Sequence, residues 1–188
     1  MKPDDTAEIY QQIDDINLKI IDILNKDAST SFVDIAKRIG VSDATIHIRV
    51  RRMMEARIIN KFTISVDNNI LGYDHLVFIG IRISPGYADQ IMQDLLKFEE
   101  VLEIHELHSK FDLLLKVRAK NLSQLRDIVE NKICKIPYIF KTELMTVLKT
   151  KKEEQMISLK KDIEYKEISS LNDYDRLRSF SNLSLIRE

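Results

Sequence analysis

Gly40, two residues ahead of Ser42, constrains the fold of this chain more than any other position. Glycine adopts left-handed backbone angles at little cost, so it ends a helix. Ser31 opens that helix. With Asp34 it has the spacing of a capping box, and Phe32, Ile35, Ala36 and Ile39 follow at i, i+3, i+4 and i+7. Ser42 then caps a further helix predicted over 43–55. Ahead of both, Ile13, Ile16, Ile20, Ile23 and Leu24 recur at three- and four-residue spacings and predict another helix. Three short helices, the last two joined by a Gly-Val-Ser turn, predict a helix-turn-helix unit.

At about 100° per residue, Ile46, Val50 and Met53 fall on one side of the third helix, with Met54 at its edge. These residues are expected to pack on the first two helices. The opposite side carries Ala44, Thr45, Ile48, Arg51, Arg52 and Glu55. Such a surface suits the DNA major groove: Arg binds guanine edges or phosphates, and a Thr or Ile methyl touches the thymine methyl. Ser42, His47 and Arg49 complete the candidate DNA-binding set. The chain as a whole is nearly neutral, with net charge −1 from 29 basic and 30 acidic residues. Between Lys37 and Lys61, however, seven basic residues stand against two acids, a local net of +5. Solvated surface charge is the plain alternative for Arg51 and Arg52; the capped helix and glycine turn ahead of them favour DNA.

The remainder alternates strand and helix text. Asn60 to Asp74 reads as a strand, with Phe62, Ile64 and Val66 alternating, followed by turns. From His75 to Ile83, Val77, Ile79, Ile81 and Ile83 share one face while Leu76 and Phe78 point the other way, so both faces are largely apolar. Pro85 and Gly86 end that strand. Ala88, Ile91, Met92, Leu95 and Leu96 form a helical stripe, and strands are predicted over 101–107 and 111–117. Leu122, Leu125, Ile128, Val129 and Ile133 predict a second helix, and Pro137 opens a last strand running to Leu148. The order βαββαβ is the ferredoxin-like plan. In that plan helices cover one sheet face only. The other face needs cover, and a second copy of the same sheet is the natural partner, so an isologous homodimer is expected. Its paired DNA-reading helices would meet half-sites about 34 Å apart, or a multiple of that.

Composition narrows the class. The 188-residue chain allows one or two domains, its 44% hydrophobic residues suffice for a core, and 4 Gly with 3 Pro exclude a collagen-like or linker-like polymer. The longest apolar run, Leu76 to Ile81, is far short of the roughly 20 residues that span a bilayer. The acidic N-terminus is not a secretory signal, and Cys134 has no internal disulfide partner. A cytoplasmic protein with no membrane association is expected. Cys134 follows an apolar helical face and is expected to be buried. His105 and His108 lack a third ligand, so no metal, cofactor or catalytic residue is assigned. Ser31, Ser42 and Asp34 are accounted for as caps.

In order, Asp15, Lys19, Ile20, Leu24, "DIAKRIGVS" (34–42), "TIHIRVRRM" (45–53) and "IIN" (58–60) resemble the Lrp/AsnC, or feast/famine, transcription regulators. The resemblance covers roughly residues 13–148. It implies an α+β fold: an N-terminal winged helix-turn-helix followed by a C-terminal βαββαβ ferredoxin-like sensing domain of the RAM type. Along this chain that gives an extension over 1–12, DNA-binding helices over 13–60, wing and linker over 61–74, a sensing and dimerisation domain over 75–149, and a charged C-terminal extension over 150–188. Double-stranded DNA, a homodimer or higher homo-oligomer and an amino-acid effector are the implied partners. Two positions depart from the pattern. Ile48 stands where members often carry Arg, altering the expected operator preference. Arg57 stands where members often carry a helix-ending Gly, so the third helix is expected to run on or end differently.

The resemblance also marks an effector loop, in which His108, Ser109, Lys110, Phe111 and Asp112 stand where members read close to Thr-Gly-Asp-Tyr-Asp. Lys110 could meet a ligand carboxylate and Asp112 an ammonium, while the Ser109 side chain would narrow the pocket. A solvated hairpin loop without ligand is the alternative. The tail past Lys149 is charge-rich, with Met156, Leu159 and Ile163 at helical spacing; it is either a docked helix or mostly mobile. Two further functions fit the architecture. One is a sirohaem-decarboxylase-like enzyme, disfavoured because "ELHSKFD" is followed by no Tyr or Arg of the expected motif. The other is an architectural DNA coater dominated by phosphate contacts.

Overall fold

The computed structural model describes residues 13–166. The expected extension over 1–12 and the part of the tail beyond 166 lie outside the described residues. The described chain forms two compact units. One runs up to Ile64 and resumes from Glu154; the other is Ser65–Glu153.

In the first unit, α1 (Asp15–Lys26), α2 (Phe32–Ile39) and α3 (Asp43–Glu55) follow the sequence punctuation. Asp14 caps α1 by accepting the Asn17 N–H at 2.8 Å. Ser31 caps α2 through the Asp34 N–H at 3.1 Å, and Gly40 closes it at φ 84°. Ser42 caps α3 through the Thr45 N–H at 3.1 Å. The third helix does not run on past Arg57. It stops at Glu55, Arg57 takes a left-handed φ of 57°, and the Ile58 N–H returns to the Met53 carbonyl at 2.8 Å. Ile20, Ile35 and Ile46 are fully buried at the centre, with Leu24, Ala36, Val50 and Met53 around them. Residues 60–66 belong to no strand, so the expected wing strand is not formed as a paired element. No strand of the described chain offers it backbone partners, and Ile64 is left 82% exposed between the exposed Phe62 and Val66. Residues 160–166 are helical, and Lys166 donates to the Ile13 carbonyl.

The second unit is a four-stranded antiparallel sheet in the order β2-β3-β1-β4: β1 (His75–Ile83), β2 (Val101–Glu106), β3 (Leu113–Ala119) and β4 (Ile139–Thr146). With α4 (Ala88–Leu95) and α5 (Leu122–Asp127) it completes the βαββαβ order. Val77, Ile79, Ile81, Leu113, Leu115 and Val117 are buried against Ile91, Leu95, Leu125 and Ile128.

Three expectations need correction. The second helix of this unit is α-helical only to Asp127, then widens to a π turn over Ile128–Lys132 and tightens to a 3-10 turn over Ile133–Lys135. Ile128 and Ile133 are five residues apart, and the i→i+5 turn lets both face the core, while Leu122 is left exposed. Cys134 is exposed rather than buried, because the short turn points Ile133 and Ile136 inward instead. The last strand ends at Thr146, and Leu148 is solvent-exposed.

The sheet face away from the helices carries Leu76, Phe78, Gly80 and Arg82 of β1 beside Leu114, Lys116 and Arg118 of β3 and Glu143 and Met145 of β4. Phe111 lies over Gly80 so closely that a Cβ there would come within 2.5 Å of its ring. Lys116 bonds Glu103 at 2.9 Å and also Glu153, and Arg118 donates to the Tyr73 carbonyl at 3.2 Å. Burial pushes the Lys116 ammonium down, but its bonds to Glu153 and Glu103 outweigh that and hold it above its usual value.

Candidate nucleic-acid interface

α3 buries Ile46, Val50 and Met53 and leaves Ala44, Ile48, Arg51, Arg52 and Glu55 exposed on its far side, with Thr45 half-buried at the margin. The far side stays exposed because the apolar stripe takes only one residue in three or four. Capping fixes where it begins: the Ser42 hydroxyl holds the Thr45 N–H and lies 2.8 Å from Thr45 Oγ1. Ser42 and the Thr45 hydroxyl are therefore engaged with each other.

The other candidate residues separate by their partners. Arg49 turns away from the outer face. Its Nη1 lies 2.8 and 2.7 Å from the two Asp14 carboxylate oxygens and 2.9 Å from Asn17 Oδ1, tying α3 to the cap of α1. His47 packs edge-to-face on Phe32, with ring centroids 4.7 Å apart. Arg51 stands 3.5 Å from Glu55, both well exposed, an ion pair worth little in water. Arg52 makes no ion pair or side-chain hydrogen bond with a described residue. It borders an open groove of about 480 Å³ that Thr45, Ile48, Arg49 and Asp14 also line. Asp14 and Asn17 escaped sequence reasoning, because nothing local links them to a residue on α3.

The loop between β2 and β3 gathers the second set. Lys110 Nζ is 2.9 Å from Glu143 Oε1 and 4.6 Å from the Phe111 ring centroid. That bond holds the Glu143 carboxyl below its usual range. Asp112 Oδ2 accepts from Arg82 Nε at 3.1 Å and from the Ile83 N–H at 2.9 Å. Ser109 Oγ lies 3.4 Å from the Phe111 N–H, and His108 is exposed. Lys110 and Asp112 thus share one loop, each already engaged by a residue of β1 or β4. Arg82 and Glu143 were not found from the sequence; strand register brings them there, and no motif announces it. Among the described residues no group of three or more His, Cys, Asp or Glu could hold a metal ion, and no helix is long and apolar enough to cross a membrane.

Known proteins resemble both units. Residues 13–54 match the AsnC-type helix-turn-helix domain, and residues 76–157 match the Lrp/AsnC ligand binding domain. The HTH-type transcriptional regulator FL11 of Pyrococcus abyssi is 36% identical over 148 residues, which is 79% of this chain and 97% of that protein. Regulatory protein AsnC of Haemophilus influenzae is 35% identical over 134 residues, 71% of this chain and 89% of that protein. Among solved structures, E. coli AsnC superposes with a TM-score of 0.73 at 32% identity, covering 77% of this chain and 97% of that one. The regulator NMB0573 of Neisseria meningitidis, solved as an L-Met complex, shares the fold with a TM-score of 0.71 at 19% identity, covering 79% of this chain and 97% of that one.

Proposed function

The chain belongs to the Lrp/AsnC family of DNA-binding transcription regulators, and from that premise we propose that α3 is its recognition helix and lies in the major groove. The observation that carries the reading is the division of labour among the arginines of α3. Arg49 is held by Asp14 and positions the helix, while Arg51 and Arg52 stand outward. Outward guanidiniums reach phosphates or base edges, and Ala44, Thr45 and Ile48 occupy the strip between them. Ser42 and His47 flank the contact as cap and packing residue.

The assembly is a cytoplasmic homodimer or higher homo-oligomer. The sheet face carries Leu76, Phe78, Leu114 and Met145 around a Lys116 already bonded to Glu103 and Glu153, which suits an isologous partner. The exposed alternation of Phe62, Ile64 and Val66 lies in a segment that forms no strand in the single chain, and an antiparallel second copy would supply the backbone partners it lacks.

The 108–112 loop is the effector site, taking an α-amino acid or a ligand of similar chemistry. Lys110 meets its carboxylate and Asp112 its ammonium, exchanging their bonds to Glu143 and Arg82 for bonds to ligand. Selection of bound sequences from random duplex DNA tests the whole reading. A recovered half-site motif, lost or weakened with Arg51→Ala and Arg52→Ala, is expected; recovery of no motif would point to an architectural coater. Calorimetric titration with single amino acids tests the effector site.

A further inference from the structure

Sequence preference in a major groove comes from whatever α3 presents at the middle of its outer face. At 100° per residue Ile48 lies roughly 200° from the fully buried Ile46, almost opposite the core. It is 46% exposed. A single exposed isoleucine is ordinary on a protein surface. This one sits one turn after Ala44 and beside Thr45, on a strip bordered by Arg51 and Arg52. Of the polar groups beside this strip, two are held within the protein and a third is in a weak, exposed pair. Thr45 Oγ1 lies 2.8 Å from Ser42 Oγ, Arg49 is held by Asp14, and Arg51 faces Glu55 at 3.5 Å. Arg51 and Arg52 stand at its borders, so what the middle of the strip offers a base edge is methyl groups.

We propose that Ile48, aided by the Ala44 and Thr45 methyls, reads thymine C5-methyl groups, making it the specificity-determining residue of this regulator and T·A pairs the class of base selected at the centre of each half-site. The inference rests on the groove placement of α3. The thymine methyl is the one apolar feature that a base pair presents in the major groove. Packing an isoleucine against it removes apolar surface from water on both sides. Cytosine in the same place offers an amino donor that Ile48 cannot satisfy, leaving a polar group desolvated without a partner.

The test removes the methyl and nothing else. A duplex selected by the full-length protein is remade with deoxyuridine in place of thymidine, which keeps base pairing and deletes the C5-methyl. Binding of both duplexes is measured by fluorescence anisotropy for the wild type, Ile48→Ala and Ile48→Thr. The wild type is expected to lose about fourfold in affinity per methyl uncovered, the weight of one buried methylene. Ile48→Ala should bind both duplexes alike, at the weaker level, and Ile48→Thr, which keeps a branched methyl, should retain part of the difference. A thermal unfolding midpoint close to wild type shows that the variants are folded. A wild type indifferent to the swap overturns the inference, as does an Ile48→Ala variant that keeps the whole loss. The groove placement fails separately: if Arg52→Ala and Arg51→Ala leave affinity untouched, α3 is not in the groove. If affinity depends on those arginines but not on the methyl, only the reading by Ile48 falls.

Discussion

The guanidinium of Arg49 grips the carboxylate of Asp14, with Nη1 2.8 Å from Oδ1 and 2.7 Å from Oδ2. The same Asp14 oxygen that bonds Arg49 also caps α1 through the Asn17 N–H. One carboxylate therefore fixes the start of α1 and the flank of α3. Arg49→Ala should destabilise the helical unit by about 1–2 kcal/mol, typical of a charge-assisted, part-exposed bond. Its expected mark is a lower denaturation midpoint with an unchanged salt slope of DNA binding. A slope reduced by about 0.9 would instead make Arg49 a phosphate contact.

Arg52→Ala and Arg51→Ala should behave oppositely. Unfolding midpoints should stay near wild type, since exposed substitutions usually change stability by under about 0.5 kcal/mol. A phosphate-binding arginine lowers the salt slope by about 0.9 when removed; a base-reading one costs about 1–3 kcal/mol at one base position. Binding isotherms at several salt concentrations separate the two.

Gly80→Ala should destabilise the sheet unit by about 1–3 kcal/mol, because the new methyl drives into the Phe111 ring. Phe111→Leu in the Gly80→Ala background should recover part of that loss in chemical denaturation. Additive losses would mean that the two positions do not press on each other.

Acid should weaken the sheet unit through Glu100 and Glu103. The Lys132 bond at 2.6 Å holds Glu100, and the Lys116 bond holds Glu103, each below the ordinary value of 4.5. A depressed folded-state pKa means that the unfolded chain binds protons first. The contribution is full above about pH 4.5 and is lost as pH falls through the folded-state values. Denaturation midpoints followed from neutral to acid pH should decline less steeply for the Glu100→Gln, Glu103→Gln double variant.

Cys134 should react with a thiol reagent in the native protein, one equivalent per chain, without denaturant. Protection until unfolding would mean that assembly covers it.

The helices and strands were legible where local chemistry decides. Ser31, Gly40 and Ser42 carry caps that act over three or four residues, and the alternation of Val77, Ile79 and Ile81 states which face is inside. The unread features join distant residues or offset one local rule by another. Asp14 and Arg49 are 35 residues apart, and Arg82 and Asp112 are 30 apart; only helix packing and strand register bring them together. The stripe from Leu122 to Ile133 reads as one regular helix, because hydrophobic spacing does not distinguish a π turn from a gap in the pattern. Arg57 looks unable to end a helix, yet the returning bonds from Ile58 and the packing of Ile58 and Ile59 hold it left-handed. The loop residues Lys110 and Asp112 were marked by resemblance to the family loop, while their present partners, Glu143 and Arg82, belong to strands with no motif.

Phe111 stands in the 108–112 loop, and its ring roofs Gly80 of β1 on the sheet face proposed above for a second subunit. If a guest at the proposed effector loop shifted that ring, the change would fall on the face proposed for pairing. Occupancy of the loop and cohesion of the pair would then be two readings of a single balance, each answering the other by the same factor.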